Sequence, residues 1–126
     1  SLSKLERWVM KPFWEEGLLS VREAADHLAE EEGGPDYSTV QTIVGRLEKK
    51  EALRRVKKIG NAWLFEAIVD KRAIVGGLID DVMSLLDEGP SPIMMHLVEN
   101  EKLSESDIAE IRAMIREKEE REGKGD

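Results

Sequence analysis

The 126-residue sequence contains no cysteine, which excludes a disulfide framework, a thiolate-held zinc ion and a cysteine nucleophile. Histidine is almost as scarce. His27 and His96 are the only two and stand on separate segments, so a metal site would have to borrow carboxylates from distant places. Of the few aromatic residues three are tryptophans, Trp8, Trp14 and Trp63, and their apolar neighbours assign them to packing rather than to a stacking platform for bases. No apolar run approaches the roughly 18 to 20 residues that span a bilayer. Ser1 to Phe13 carries charges throughout and lacks a small-residue cleavage site, so neither a signal peptide nor a membrane segment is expected. There is no set of nucleophile, base and orienting group, no glycine-rich phosphate loop and no zinc-binding helix motif. The adjacent acids Asp80-Asp81 and Asp87-Glu88 read as a solvated face rather than hard-cation ligands, and Met94, Met95 and Met114 as packing filler. No catalytic residue, metal or cofactor is therefore expected, and the lack of cysteine fits a cytoplasmic location.

What the sequence does have is charge, unevenly placed. The chain carries a net −8, yet Asp36 to Gly60 holds seven basic residues (Arg46, Lys49, Lys50, Arg54, Arg55, Lys57, Lys58) against three acids (Asp36, Glu48, Glu51). An excess of four positive charges inside an acidic protein marks one surface suited to an anionic polymer. The remaining residues sum to −12, which favours a focused site over loose adhesion.

The length fits one domain, or one small domain with a helical appendage. Lobes of roughly 60 residues bury only about 60% of the surface that their unfolded chain exposes, so self-association is expected. Ser3-Lys4-Leu5-Glu6 has capping-box spacing, and Leu5, Trp8, Val9 and Phe13 share one helical face. Pro12 falls within this pattern and predicts a kink or an early break, with Gly17 ending the segment and Leu18-Leu19 extended. Ser20 to Glu23 is a second capping box, followed by Val21, Ala24, Ala25 and Leu28 at helical spacing. The cluster Glu30 to Asp36 must be a loop. A third helix starts at Ser38, with Val40, Ile43, Val44 and Leu47 inward and Gln41, Thr42, Arg46 and Lys49 outward. Leu53 to Lys58 and Ala62 to Val69 read as strands of a hairpin turned at Gly60-Asn61, both of which tolerate positive φ.

Beyond Asp70, Ile74, Leu78, Val82, Leu85 and Leu86 form a helical stripe as far as Asp87. Gly76-Gly77 within it marks a close helix approach or a bend. Ser91-Pro92 starts a helix with proline at its first position, leading Ile93, Met94, Leu97 and Val98. Ser104 opens the last helix, with Ile108, Ile111 and Ile115 on one face and a frayed, charged tail from Glu117 to Asp126. The fold class expected is mainly α: a winged helix-turn-helix domain with a small β-hairpin wing over residues 1–69, then a helical region over 70–126.

The start of the third helix is rich in hydroxyl and amide side chains that can approach base edges or phosphates without steric conflict, and the cations follow it. That order suits a helix entering the major groove by its N-terminal half while Arg46 and the hairpin clamp phosphates. The plainer alternative is an amphipathic helix whose Ser38 and Thr39 merely cap. A basic hairpin beside a Gly60-Asn61 tip favours the first reading, since lysines guarding a strand edge explain only part of it.

These residues also carry a family resemblance. Tyr37, Ser38, Thr39, Val40, Gln41 and Thr42, followed by Arg46-Leu47-Glu48-Lys49-Lys50, resemble the recognition helix of the penicillinase-repressor family (BlaI/MecI/CopY-like winged-helix transcriptional repressors). Met10-Lys11 with Trp14, Ser20 to Glu23, Ser91-Pro92 with His96 to Glu99, and Lys102 to Ser104 fall in the family's order, so the resemblance spans roughly Leu5 to Ile115. It implies a dimeric repressor whose N-terminal winged helix binds an inverted-repeat operator in double-stranded DNA and whose C-terminal helices dimerise. The DNA-binding set is then Ser38, Thr39, Gln41, Thr42, Arg46, Lys49, Arg54, Lys57, Lys58 and Asn61. The dimerisation set is Ile74, Leu78, Val82, Leu85, Leu86, Met94, Leu97, Ile108, Ile111 and Ile115.

Departures from the family pattern bear on mechanism. Glu51 replaces the usual glycine after the recognition helix and predicts a rearranged helix end. Asn61 stands where members often carry arginine, and Pro12 where they carry an apolar helix residue. A sensor protease is a family partner, but His96-Leu97 replaces the Asn-Phe dipeptide cleaved in the β-lactam-responsive branch, which argues against that signal route. Release by copper-thiolate chemistry is excluded. A winged-helix module docking an acidic protein through its basic hairpin is the alternative function.

Overall fold

The structure, a computed structural model, describes residues 1–124. Its elements are α1 (Lys4–Glu16), β1 (Leu19–Ser20), α2 (Val21–Ala29), α3 (Tyr37–Lys49), β2 (Leu53–Ile59), β3 (Ala62–Ala67), α4 (Lys71–Met83), α5 (Ser91–Glu99) and α6 (Glu105–Lys124). The chain is mainly helical, with one small antiparallel sheet in the order β1-β3-β2. It forms two compact units, Ser1–Leu78 and a second that begins at Ile79. Among the described residues no helix is long and apolar enough to cross a membrane.

The first unit is a winged helix. Ser3 and Ser20 start α1 and α2 with complete capping boxes: each hydroxyl accepts from the amide three residues on, and Glu6 and Glu23 accept in return from the serine amides. Two orphan donors are thereby satisfied at each helix start. Val9, Met10 and Phe13 of α1, Ala24, Ala25 and Leu28 of α2, and Val40, Ile43, Val44 and Leu47 of α3 meet Leu19, Leu53 and Phe65 of the sheet in one buried core. The inward row of α3 is the one its sequence period predicts. The turn between α2 and α3 needs Gly34, because a β-carbon there would collide with the carbonyl oxygen of Leu28.

Two expectations for this unit are overturned. The first helix neither breaks nor ends early at Pro12 but runs to Glu16. Pro12 is itself buried, between Val9, Met10 and Phe13, which are also buried; tertiary packing of that face holds the helix together against the loss of one hydrogen bond. The end of α3 is not rearranged by Glu51. The Ala52 amide donates to Leu47 O at 2.8 Å and the Glu51 amide to Glu48 O at 3.1 Å, the paired bonds of a Schellman motif, with buried Ala52 supplying its apolar contact. Glu51 occupies the left-handed position itself, at φ 61°.

The second region also departs in places from the sequence pattern. The helix expected as far as Asp87 stops at Met83, where Leu85 N and Leu86 N donate to Val82 O and Met83 O at 3.0 Å and Ser84 Oγ donates to Asp81 O at 2.6 Å. These tighter bonds take up carbonyls that a continuing helix would have used, so Leu85 and Leu86 lie in a turn. Neither Gly76 nor Gly77 has a neighbouring atom where a β-carbon would stand. Ser91, not Pro92, is the first residue of α5, and Pro90 precedes it without a side-chain cap. Ser104 caps α6 through the Asp107 amide at 3.1 Å. The tail expected to fray is helical through Lys124, built from good helix formers with a Lys118–Glu122 pair one turn apart; its last positions, Gly125 and Asp126, lie outside the described residues.

Candidate nucleic-acid interface

The polar face of α3 is the outward complement of its buried row. Ser38, Gln41, Thr42, Gly45, Arg46 and Lys49 are exposed and Thr39 is half-buried. The cap of this helix is neither Ser38 nor Thr39. It is Asp36, whose Oδ1 accepts from the Thr39 amide at 2.9 Å, and that bond holds the Asp36 carboxyl below its ordinary value. Capping is thus done two residues before Ser38, whose side chain is left exposed on the surface. Thr42 Oγ1 donates to Ser38 O at 3.1 Å, so its hydroxyl proton is used within the helix and its oxygen keeps acceptor capacity. Beside this row, the Arg22 guanidinium lies 4.0 Å from the centre of the Tyr37 ring.

The wing is the hairpin of β2 and β3. Its two-residue loop has Gly60 at φ 59°, while Asn61 keeps a negative φ, the pattern of a type II′ turn, in which only the first central residue needs the left-handed side. Register then sorts the wing cations. Arg55 pairs with Phe65, but the next regular pair is Lys57 with Leu64, leaving Val56 as an extra residue between them. Direct cross-strand partners share a face and neighbours alternate. Arg55 and Lys58 therefore stand on the face of Phe65 and Trp63, whereas Arg54 and Lys57 stand on the opposite face with Glu66 and Leu64. Without the bulge Lys57, not Lys58, would share the face of Arg55.

Ion pairing separates the seven cations further. Lys50 Nζ reaches Glu6 Oε1 at 2.8 Å, joining α1 to the end of α3, and this bond with the Ser3 amide lowers the pKa of Glu6. Arg54 pairs with Glu66 across the strands, its Nε 2.6 Å from the carboxylate. Arg55 Nε donates to Glu48 Oε2 at 2.8 Å. Among the described ion pairs Arg46, Lys49, Lys57 and Lys58 take no part. Between α3, the start of α2 and the wing lies a cleft of about 310 Å³, lined by Arg22, Tyr37, Gln41, Glu48, Asn61 and Trp63 among others.

The structure thus brings Ser38, Thr39, Gln41, Thr42, Arg46 and Lys49 onto one helix, with Lys58 and Asn61 on the adjoining wing. Arg54 and Lys57 stand on the far face of that wing. Sequence reasoning missed three features: the Asp36 cap, the bulge at Val56, and the engagement of Arg55 with Glu48. Only the first had a signal, the aspartate just before the helix. Of the residues expected to dimerise, Ile74, Leu78 and Val82 lie on α4, Met94 and Leu97 on α5, and Ile108, Ile111 and Ile115 on α6. No residue of these three helices is buried within the chain, and Leu85 is 80% exposed. His96 and Leu97 lie within α5.

The family model described as penicillinase repressor matches residues 2–117. No curated protein sequence matches the chain. Among solved structures, the solution structure of the DNA-binding domain of the repressor BlaI is similar at 28% identity, covering 56% of this chain and 84% of that one, with a TM-score of 0.49. A cysteine-to-serine mutant of MarR from E. coli shares 13% identity over 93% of this chain and 77% of its own, with a TM-score of 0.53. Bordetella bronchiseptica BpsR shares 16% over 95% and 76%, with a TM-score of 0.50. The last two support the fold, mainly helical and winged. The chain belongs to the penicillinase repressor family, whose members are winged-helix, DNA-binding transcriptional repressors and not a class of enzymes.

Proposed function

We propose that this repressor acts as a homodimer on an inverted-repeat operator in double-stranded DNA, in the cytoplasm. In this reading the N-terminal half of α3 enters the major groove, where Ser38, Thr39, Gln41 and Thr42 meet base edges and phosphates. Arg46 and Lys49 hold the flanking phosphates from the helix, and Lys58 and Asn61 from the wing. Arg54 and Lys57 contribute from the far side of the wing as a general positive field. The observation that carries the proposal is the exposed polar row of α3, whose hydroxyls are not used in capping the helix, accompanied by Arg46, Lys49, Lys57 and Lys58, which take no part in the described ion pairs, inside a chain of net −8.

Dimerisation is supported by the apolar side chains left uncovered on the C-terminal helices, among them Val82, Met94, Ile108, Ile111 and Ile115, since monomers seldom expose so many together. A two-fold axis relating two α3 helices matches a palindrome with half-sites about 34 to 36 Å apart or a multiple of that. Derepression by cleavage at His96-Leu97 is not part of this reading, because these two residues stand in place of the dipeptide cleaved in the β-lactam-responsive branch.

The test is titration of the full chain against DNA from upstream of its own gene at several salt concentrations. If each subunit neutralises about three to four phosphates, log K should fall against log salt with a slope of roughly −5 to −7. A flat salt response, or binding to an acidic protein partner with none to DNA, would refute it.

A further inference from the structure

Arg55 belongs to the basic stretch, yet its surroundings differ from those of the other cations there. Its Nε donates to Glu48 Oε2 at 2.8 Å. Its guanidinium also lies over the rings of Trp63 and Phe65, 5.3 and 5.6 Å from their centres. It occupies the last regular β2 position before the Val56 bulge. Glu48 belongs to the last turns of α3, so among the described side-chain hydrogen bonds this is the one that ties the wing to the recognition helix. β1 pairs only with Phe65 and Leu64 at the base of β3, so the outer part of the wing is a two-stranded hairpin with little stability of its own, and the wing carries no buried residue beyond Leu53 and Phe65. Its direction relative to α3 therefore depends on a few contacts near its base.

We propose that Arg55 is a positioning residue that sets the angle between wing and recognition helix, so that both meet one duplex, and that it is not a phosphate ligand. The inference rests on the DNA-binding reading above. A planar guanidinium can stack on an aromatic face and donate in its own plane at the same time, which an ammonium cannot. With the link broken, the wing has to be ordered as the complex forms, and binding weakens by that cost. The bulge at Val56 completes the device: it follows directly on the anchored residue and turns Lys58 toward the recognition-helix side.

The sign of one substitution separates the two roles of Arg55. Glu48→Met removes both the negative charge and the acceptor, so a phosphate-binding Arg55 would be released by it and DNA binding would tighten. As a strut, Arg55 loses its partner, and affinity for the upstream DNA should fall about tenfold. Arg55→Lys keeps the charge but loses the stackable fork, and should weaken binding to a similar degree. The double variant should be no worse than either single one, because all three break the same link. In the free protein, the indole N–H resonance of Trp63, assigned by its loss in Trp63→Phe, should shift in Arg55→Lys. Those of Trp8 and Trp14, bonded to Glu31 and to Val69 O, should stay. Tighter binding by Glu48→Met, wild-type affinity in Arg55→Lys, or an unmoved Trp63 resonance overturns the strut. A wild-type chain without salt-dependent DNA binding overturns the DNA-binding reading instead, whatever the resonance does.

Discussion

Replacing Glu51 with glycine should make the winged-helix unit more stable. Glu51 is the C′ residue of a complete Schellman motif and holds φ at 61°, a conformation in which the β-carbon of an L-residue crowds the following carbonyl oxygen at about 1 to 2 kcal/mol. Glycine removes that strain but loosens the unfolded chain, which costs about 0.4 to 1 kcal/mol. The Glu51 carboxylate also sits beyond the C-terminus of α3, where the helix dipole disfavours negative charge by about 0.3 to 1 kcal/mol. The balance is a gain of roughly 0.3 to 2.6 kcal/mol for Glu51→Gly, centred near 1.5. Glu51→Ala keeps the strained backbone and loses only the charge, so it should gain a few tenths. Urea unfolding of wild type and both variants at one protein concentration, fixed because self-association makes stability concentration-dependent, measures the difference directly. At about 4 to 8 °C per kcal/mol for a domain of this size, a melting curve would also resolve it. If glycine is no more stable than alanine, the left-handed position carries no strain and the account of this helix end is wrong.

Gln41→Ala should change base preference with a modest loss of affinity, and an unaltered binding profile across shuffled operators would remove Gln41 from base reading. Lys58→Ala should weaken binding evenly across sequences and reduce the magnitude of the salt slope by roughly 1 to 2 per dimer; Lys57→Ala should do the same less strongly, and equal losses would refute the assignment of faces. Glu6 is 3% exposed and bonded to Lys50, so Glu6→Gln should cost about 1 to 2 kcal/mol in urea unfolding. Because its folded pKa is lowered, the stabilisation by Glu6 is present above the unfolded carboxylate pKa and is lost as pH falls through the folded value. The gap between wild type and Glu6→Gln should therefore stay constant at neutral pH and close only in acid, below the unfolded carboxylate pKa, and a gap that persists there would exclude the ion pair as its source. Ile111→Asp, on the uncovered face of α6, should shift sedimentation toward monomer and weaken operator binding by at least about tenfold; an unchanged sedimentation profile would place the dimer contact elsewhere.

The sequence by itself determined the helices, their caps at Ser3 and Ser20, the buried row Val40, Ile43, Val44 and Leu47, and the hairpin with its glycine turn. All of these depend on partners within a few residues, so periodicity and capping chemistry are enough to read them. The same locality made the polar row of α3 legible as a candidate site. Only the tertiary structure decided that Pro12 would not break α1, because the counterweight is burial against other elements. It also decided which cations are available: Glu6, Glu66 and Glu48 reach Lys50, Arg54 and Arg55 through helix packing and strand register, across separations that no spacing rule covers. One extra residue at Val56 sends Lys57 and Lys58 to opposite faces, and a ladder of period two gives a sequence reader no way to see where such a residue will be inserted.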